Sequence, residues 1–357
     1  MKLKLFRRIL YLATLAFFAG IAWQSWAWWS WAKEPVQAEA TEPDELVQIQ
    51  IPSGTSAQQI GQDLEAAGLI RSTTAWKLLT RWKLWREAEG GFQAGTYAVS
   101  PSQPLAEIAE QIWSGDVVEL SFTIPEGWNR GQMAASLASQ GLVSADEFLA
   151  ATEQIPYDRY PWLPQALPHL EGFLYPDTYQ LPSEAISAEA IIDMMLTRFE
   201  QVALPLYQQQ RSRYDLVDWV TLASIVEKEA VIADERSTIA SVFARRLEEG
   251  MTLGADPTVE YGLGVTQTPE NPLTLAQVNT PNDYNTYLNP GLPPTPIASP
   301  GLASLEASLN PPYTDYLYFV ARYDGTHVFS STLAEHEIAQ ARIRDGIDAQ
   351  QENPEIN

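Results

Sequence analysis

Two stretches of this 357-residue chain repeat each other at an offset of 73 positions: Ile51-Pro52-Ser53-Gly54 returns as Ile124-Pro125-Glu126-Gly127, and Gly68-Leu69-Ile70 returns as Gly141-Leu142-Val143. Inside them Ile60 answers to Met133 and Leu64 to Leu137, the four-residue spacing of one apolar helix face. Each copy therefore predicts a short strand, a turn at the first glycine, an amphipathic helix and a glycine that ends it. Two copies do not make a solenoid. Between them, Phe92 to Val99 reads as extended and Leu105 to Trp113 as a helix.

Composition narrows the class. With 45% hydrophobic and 19% charged residues the bulk of the chain must fold around a real core, and its length suits two modules with appendages. A formal net charge of −23 argues against nucleic acid as a partner, because phosphate binding needs clustered Lys and Arg. Zero cysteines and three histidines remove disulfides, thiolate chemistry and most of the material for a zinc site, so neither a metal nor a cofactor is expected.

At the N-terminus Lys2, Lys4, Arg7 and Arg8 precede an uncharged run from Ile9 to Ala32. At about 1.5 Å per residue the run is long enough for a hydrocarbon core of about 30 Å. The expectation is a basic cytoplasmic tail (1–8) and a single transmembrane helix (9–32) in the plasma membrane. Trp26, Trp28, Trp29 and Trp31 would lie at the far interface and the rest outside. Ala38-Glu39-Ala40 leaves open a cleaved signal peptide, which exports the chain equally. A Glu, Ala and Pro-rich tether (33–46) would follow.

Past Asp158 the texture turns to aromatic and Pro-rich loops around helices, expected near Ala188 to Gln208 and from Leu216 to Gly250. Tyr316 to Ala321 and Thr326 to Ser330 read as a hairpin on the Asp324-Gly325 turn, Leu333 to Ile347 as a closing helix, and 348–357 as a loose tail. The order implies an α+β fold.

In the segment Leu222-Ala223-Ser224-Ile225-Val226-Glu227-Lys228-Glu229, a helical period sets Leu222, Ile225, Val226 and Glu229 on one stripe, continued by Ile232 and Ala233. A carboxyl among apolar neighbours resists ionisation, the state a general acid needs. Glu227 points elsewhere. On periodicity alone, Glu229 could instead cap a loop or pair with Arg245 or Arg246.

Ala223 to Glu229 (ASIVEKE), with Glu235-Arg236, Ser241-Val242-Phe243 and Arg246-Leu247, resembles the signature helix of the endolytic murein transglycosylases, the YceG-like family. Further blocks follow in that family's order: Asp256-Pro257-Thr258-Val259 with Tyr261-Gly262, Tyr284-Asn285-Thr286-Tyr287, Gly291-Leu292-Pro293-Pro294, Pro296-Ile297-Ala298 and Leu317-Tyr318-Phe319-Val320-Ala321. Upstream, Leu170-Glu171-Gly172-Phe173-Leu174-Tyr175-Pro176-Asp177-Thr178-Tyr179 is similar to another block. The strand-turn-helix unit, with the extended and helical stretches after it (47–120), is similar to the small glycan-binding βα modules of which LysM is the best known, or simply packs and positions. The YceG-like resemblance implies a catalytic domain over 121–347. It also implies a lyase that cuts the bond between N-acetylmuramic acid and N-acetylglucosamine in nascent peptidoglycan, leaves a 1,6-anhydro end and stops elongation. Glu229 would be the catalytic acid and base, glycan strands the substrate, and peptidoglycan synthases (penicillin-binding proteins) of the same membrane the partners.

Other positions carry two readings each. Glu171 and Asp177 would be the second carboxylate of a hydrolase, or fix a loop. Asp256 and Thr258 would cap a short segment or line the cleft, beside Tyr261 of the same block. Tyr284, Asn285 and Tyr287 would stack on and hydrogen-bond sugars, or close their own loop. His327 would orient Glu229 or sugar, or be a satisfied strand histidine, and His336 is a helical one. The run from Pro290 to Gly301 reads as a rigid groove wall. Besides the lyase, a two-carboxylate hydrolase and a non-catalytic, glycan-binding scaffold remain open.

Overall fold

Both copies of the repeat fold as their end signals dictate. In the first, β1 (Val47–Ile51) leads through Gly54 to α2 (Ala57–Ala66), whose N-cap Ser56 accepts from the Gln59 N–H. In the second, Asn129 caps α5 (Arg130–Ser139) with a reciprocal bond to Gln132. Gly54 and Gly127 take φ of +81° and +74°, and Gly68 and Gly141 both take +71°, a region that only glycine enters without strain. Leu69 N–H then donates to the Leu64 carbonyl and Leu142 N–H to that of Leu137, the same helix-ending bond twice. Each copy carries a second helix that periodicity did not reveal: α3 (Thr73–Arg86), capped by Ser72, and α6 (Ala145–Ala151), capped by Ser144.

The structure is a computed structural model that describes residues 2–37, 46–87, 91–182, 186–210, 212–268, 270–322 and 324–352, with the backbone alone for 2–10 and 346–352. Most of the expected tether, including Ala38-Glu39-Ala40, lies outside the described residues. The chain divides into two units, 1–120 with 180–185, and 121–179 with 186–357.

In the first unit β1 pairs antiparallel with β2 (Gly95–Val99), Ile49 opposite Tyr97, with α2 and α3 between them in sequence and α4 (Leu105–Ser114) after. Their inward faces bury Ile51, Ile60, Leu64, Trp76, Val99, Ile108 and Ile112. Gly61 lets the Trp76 ring lie against its backbone, since a Cβ there would sit 2.4 Å from the indole. The indole N–H closes the contact on the Ala57 carbonyl at 2.7 Å.

The span 9–32, expected to cross a membrane, belongs to α1 (Lys2–Lys33), and here the expectation is corrected: among the described residues no helix is long and apolar enough to cross one. Trp23, Gln24, Ser25 and Trp26 break the apolar run with polar and amphipathic groups. The last turn is also taken up by the fold, with Ala32 fully buried, Trp29 packed on the first unit's core and the Trp31 carbonyl accepting from Arg71.

The second unit is built on helices with two small two-stranded sheets. β3 (Glu119–Thr123) pairs with β4 (Thr178–Pro182), where Phe122 stacks on Tyr179. The long helix expected near 188–208 is α7 (Ala188–Gln209). α8 (Leu216–Glu229) runs through the centre with every residue from Trp219 to Val226 buried, as an element enclosed on all sides must be. It packs against α9 (Arg236–Glu248), α10 (Asp256–Leu263) and α12 (Leu302–Leu309), with the short α11 (Leu275–Val278) beside α10. β5 (Tyr318–Ala321) and β6 (His327–Ser330) form the expected antiparallel pair, turned at Gly325. The closing helix α13 runs from Leu333 to Glu352, five residues past the expected stop. No proline stands between Ile347 and Glu352, the first being Pro354, so residues 348–352 are helix rather than tail.

Candidate active site

The segment read as one helix from Leu216 to Gly250 breaks after Glu229. Ala230 and Ile232 take extended backbone (φ −83°, ψ 104° and φ −101°, ψ 130°), a 3-10 turn spans Ala233–Glu235, and α9 begins at Arg236. Val231 and Ile232 favour the extended state through their β-branching. Glu229 thereby becomes the last residue of α8. Leu222, Ile225 and Val226 are buried as the stripe predicts, but Ile232 and Ala233 lie beyond the helix and do not continue it.

Two loops hold this helix end. Glu227 Oε2 accepts from the Gly301 N–H at 3.1 Å, and Lys228 Nζ donates to the Gly127 carbonyl at 3.4 Å. The loops are joined to each other, Gly127 N–H to Ser299 carbonyl and Ser299 N–H to Trp128 carbonyl, both at 2.8 Å. One turn earlier, Ser224 Oγ accepts from the Ile297 N–H. Of the triplet Glu227-Lys228-Glu229, only Glu229 is left without a hydrogen bond or ion pair among the described residues. Arg245 is spent on Glu249 and Arg246 on the carbonyls of Leu317 and Leu253, so neither takes the pairing open to it from sequence.

Glu229 is half-buried, and its carboxyl is pushed up from 4.5 to about 8. Desolvation is the main cause; the charges of Asp256 and Glu260 on α10 add to it, and Arg246 opposes. A group so placed holds its proton at neutral pH with no partner to satisfy, and is free to give it away.

Beside the helix end opens a cavity of about 540 Å³. Lys228 comes from α8, Glu260 and Tyr261 from α10, Ile297 from the Pro-rich wall, and Arg130 and Gln132 from the repeat helix α5. Glu229 itself is not among the lining residues; the cavity meets it through its neighbour Lys228 and through Glu260, one of the charges acting on it.

Glu171 is buried at the rim, 2% exposed, where it accepts the Arg130 N–H at 3.1 and 3.2 Å and the Tyr261 hydroxyl at 3.0 Å. It thus caps the N-terminus of α5, where a carboxylate is favoured. Burial nevertheless raises it to about 7, against the lowering by Arg130 and Tyr261. The Glu171 N–H donates to His169 Nδ1 at 3.4 Å, and burial and Arg130 together lower that imidazole to about 4, keeping it neutral.

The structure scatters the other expected residues between site and scaffold. Asp256 opens α10 and accepts the Tyr287 hydroxyl at 2.6 Å; Ala255, not Asp256, is the N-cap. Tyr261 packs its ring 4.8 Å from that of Tyr284, whose hydroxyl meets Thr295. Thr258 is sealed, bonded to the Ala255 carbonyl and Thr286 hydroxyl. Asn285 is fully buried and closes its own loop on the carbonyls of Val278 and Thr280. Asp177 is an ion-pair partner of Arg198 on α7 at 2.6 Å, and His327 Nδ1 is hydrogen-bonded to Glu235 Oε2 at 2.7 Å. Thr258, Asn285, Asp177 and His327 are therefore not presented to the cavity, because each has its polar atoms satisfied within the scaffold. Arg130, His169, Lys228 and Glu260 were not singled out from sequence. Arg130 had a signal, standing just inside the helix start of the second repeat copy. Among the described residues no group of three His, Cys, Asp or Glu is arranged to hold a metal ion.

Residues 49–342 match the YceG-like family. This chain belongs to the YceG-like family. It is 32% identical over 323 residues to the endolytic murein transglycosylase of Bacillus subtilis, with 87% of each chain covered. To the endolytic murein transglycosylase of Streptococcus pneumoniae it is 30% identical over 322 residues, covering 82% of this chain and 57% of that longer relative. A crystal structure of a yceG-like protein from Listeria monocytogenes superposes with a TM-score of 0.54 at 32% identity, over 83% of this chain and 99% of the other. In this YceG-like chain the match spans both copies of the repeat and the whole of α8, so the helix that ends on Glu229 lies within the family's own extent.

Proposed function

We propose that this YceG-like chain is an endolytic murein transglycosylase, a lyase that cuts peptidoglycan glycan strands, with Glu229 as its acid and then its base. The observation that carries the reading is the state of Glu229: protonated near neutrality, unpaired, and fixed at the end of a buried helix whose two preceding side chains are tied to loops. Glu229 gives its proton to the glycosidic oxygen as the muramyl C1–O bond breaks. The muramyl 6-hydroxyl adds to the same C1 and returns a proton to the carboxylate, leaving a 1,6-anhydro end and a free 4-hydroxyl on N-acetylglucosamine. An internal nucleophile needs no second carboxylate. This fits a site in which Glu171 is engaged by backbone and tyrosine donors and Asp177 by Arg198, so that neither is poised to activate water.

The cavity beside Glu229, polar on the α5 and α10 sides, is the proposed seat of a sugar next to the cleaved bond. The strand-helix-helix-strand module of the first unit is proposed to bind glycan as LysM-like modules do; its support is the antiparallel β1–β2 pair flanking two helices. Action outside the plasma membrane, on strands still being made and beside their synthases, follows from the substrate, with α1 as the proposed attachment to the bilayer surface.

Mass spectrometry of purified strands incubated with the full chain and with Glu229→Gln tests the reaction. Anhydro-muramyl ends from the wild type alone are expected. Reducing ends would sink the lyase in favour of a hydrolase, and intact strands that stay bound would leave a scaffold.

A further inference from the structure

The helix α3 turns an unusual face to solvent. Its inner side buries Ala75, Trp76, Thr80 and Lys83, the last with its ammonium on Glu110 at 2.7 Å. Its outer side carries Leu78, Trp82 and Trp85, exposed by 51%, 50% and 83%. At a helical period these three fall in a stripe about 60° wide. Exposed side chains of Arg81 and Arg86 flank the stripe on its two sides, with Lys77 beyond Arg81. The Arg86 guanidinium rests 5.2 Å above the Trp82 ring. The helix has four basic residues and no acidic one, in a chain whose formal net charge is −23.

The stripe does not end with α3. Leu78 also lines a shallow, mainly apolar groove with Ile21, Gln24, Ser25, Trp28 and Trp29 of α1, and the neighbouring α1 side chains Trp23 and Trp26 are exposed as well. Indole rings beside Arg and Lys, on one face of a helix with an apolar centre, suit the headgroup layer of a bilayer. There the rings sit at the polar boundary and the cations meet lipid phosphate. A sugar ligand would need aromatic faces but not three flanking cations.

We infer that α3 is a second membrane contact, which docks flat on an anionic bilayer through Leu78, Trp82 and Trp85, with Lys77, Arg81 and Arg86 on lipid phosphates. The contact fixes the orientation of the first unit on the surface, and it stands apart from the reaction proposed above. Bases near an anionic leaflet contribute roughly fivefold each, so Lys77→Gln/Arg81→Gln/Arg86→Gln should weaken α3 docking roughly 100-fold. High salt should weaken it too, as screening shortens.

The absence of cysteine allows one reporter at a time. The full chain carrying Thr74→Cys, exposed along the edge of the stripe, is labelled with an environment-sensitive fluorophore; Gln62→Cys on α2 is the control. With vesicles of equal parts phosphatidylglycerol and phosphatidylcholine, the label at 74 should shift to the blue and be quenched by nitroxide lipid, while that at 62 stays in water. The triple charge variant and Trp82→Ser/Trp85→Ser should each abolish the shift at 74. A chain that floats with the vesicles while position 74 stays in water would overturn the inference, since α1 alone would then bind. A blue shift without lipid that grows with protein concentration would overturn it in favour of a second copy.

Discussion

With Glu229 as the proposed acid, its ionisation sets the expected response of the reaction to pH. A glutamate at its ordinary 4.5 is protonated in roughly one molecule in 300 at pH 7, whereas at about 8 the fraction is roughly nine in ten. Desolvation and the acids of α10 thus supply roughly a 300-fold larger population of competent acid at neutral pH. The predicted profile of kcat/KM for the release of anhydro ends is flat from pH 6 to near 7.5. It falls to half near 8, then declines tenfold per unit. Asp256→Asn keeps an oxygen for the Tyr287 hydroxyl but removes the first of the charges that raise Glu229. Its alkaline limb should therefore move to lower pH, with the plateau rate at pH 6 preserved. The assay is initial rates on purified strands across pH 5 to 10 for both proteins. An alkaline limb near 5 in the wild type, or a limb that Asp256→Asn leaves in place, would refute the argument.

Three further outcomes follow from the same geometry. Glu171 holds its proton more tightly folded (about 7) than unfolded (4.5), so its protonated form favours the fold at low pH. As pH rises through this window the fold loses up to about 3 kcal/mol, a loss absent from Glu171→Gln in denaturant titrations at pH 4 and 8. Glu227→Gln should lower kcat about tenfold with KM little changed, since it loosens the end of α8 without touching a cavity wall, whereas Lys228→Met, which also removes a lining side chain, should raise KM as well; equal losses in stability and no kinetic effect would reduce both to scaffold. Gly172→Ala, at φ +82° with its new Cβ 2.4 Å from Pro296, should lower the melting temperature by several degrees through strain of at least about 1 kcal/mol.

Much of the fold was legible because it is written in short-range signals. The repeat's glycines, the α7 span and the Asp324-Gly325 turn act through neighbours a few residues away, so an alternation or a breaker is enough to locate them. Periodicity also put Glu229 among Leu222, Ile225 and Val226, which are indeed buried. The same reasoning ran α8 and α9 together, because Val231 and Ile232 are tolerable in a helix and nothing local announces the break. It also took α1 for a membrane span from the length of its uncharged run, which the described residues do not bear out.

What sequence alone determined, then, was the apolar stripe of Leu222, Ile225 and Val226 on which Glu229 stands and the family whose motifs surround it. Tertiary structure decided which polar residues remain available. Glu171 meets its donors 41 and 90 positions away, His327 finds Glu235 across 92, and Glu227 reaches Gly301 across 74. Whether a carboxylate or imidazole is spent on such a partner depends on distances that only packing creates. Desolvation, the largest cause of the raised Glu229, is likewise a property of the surrounding volume and not of any one residue in the chain.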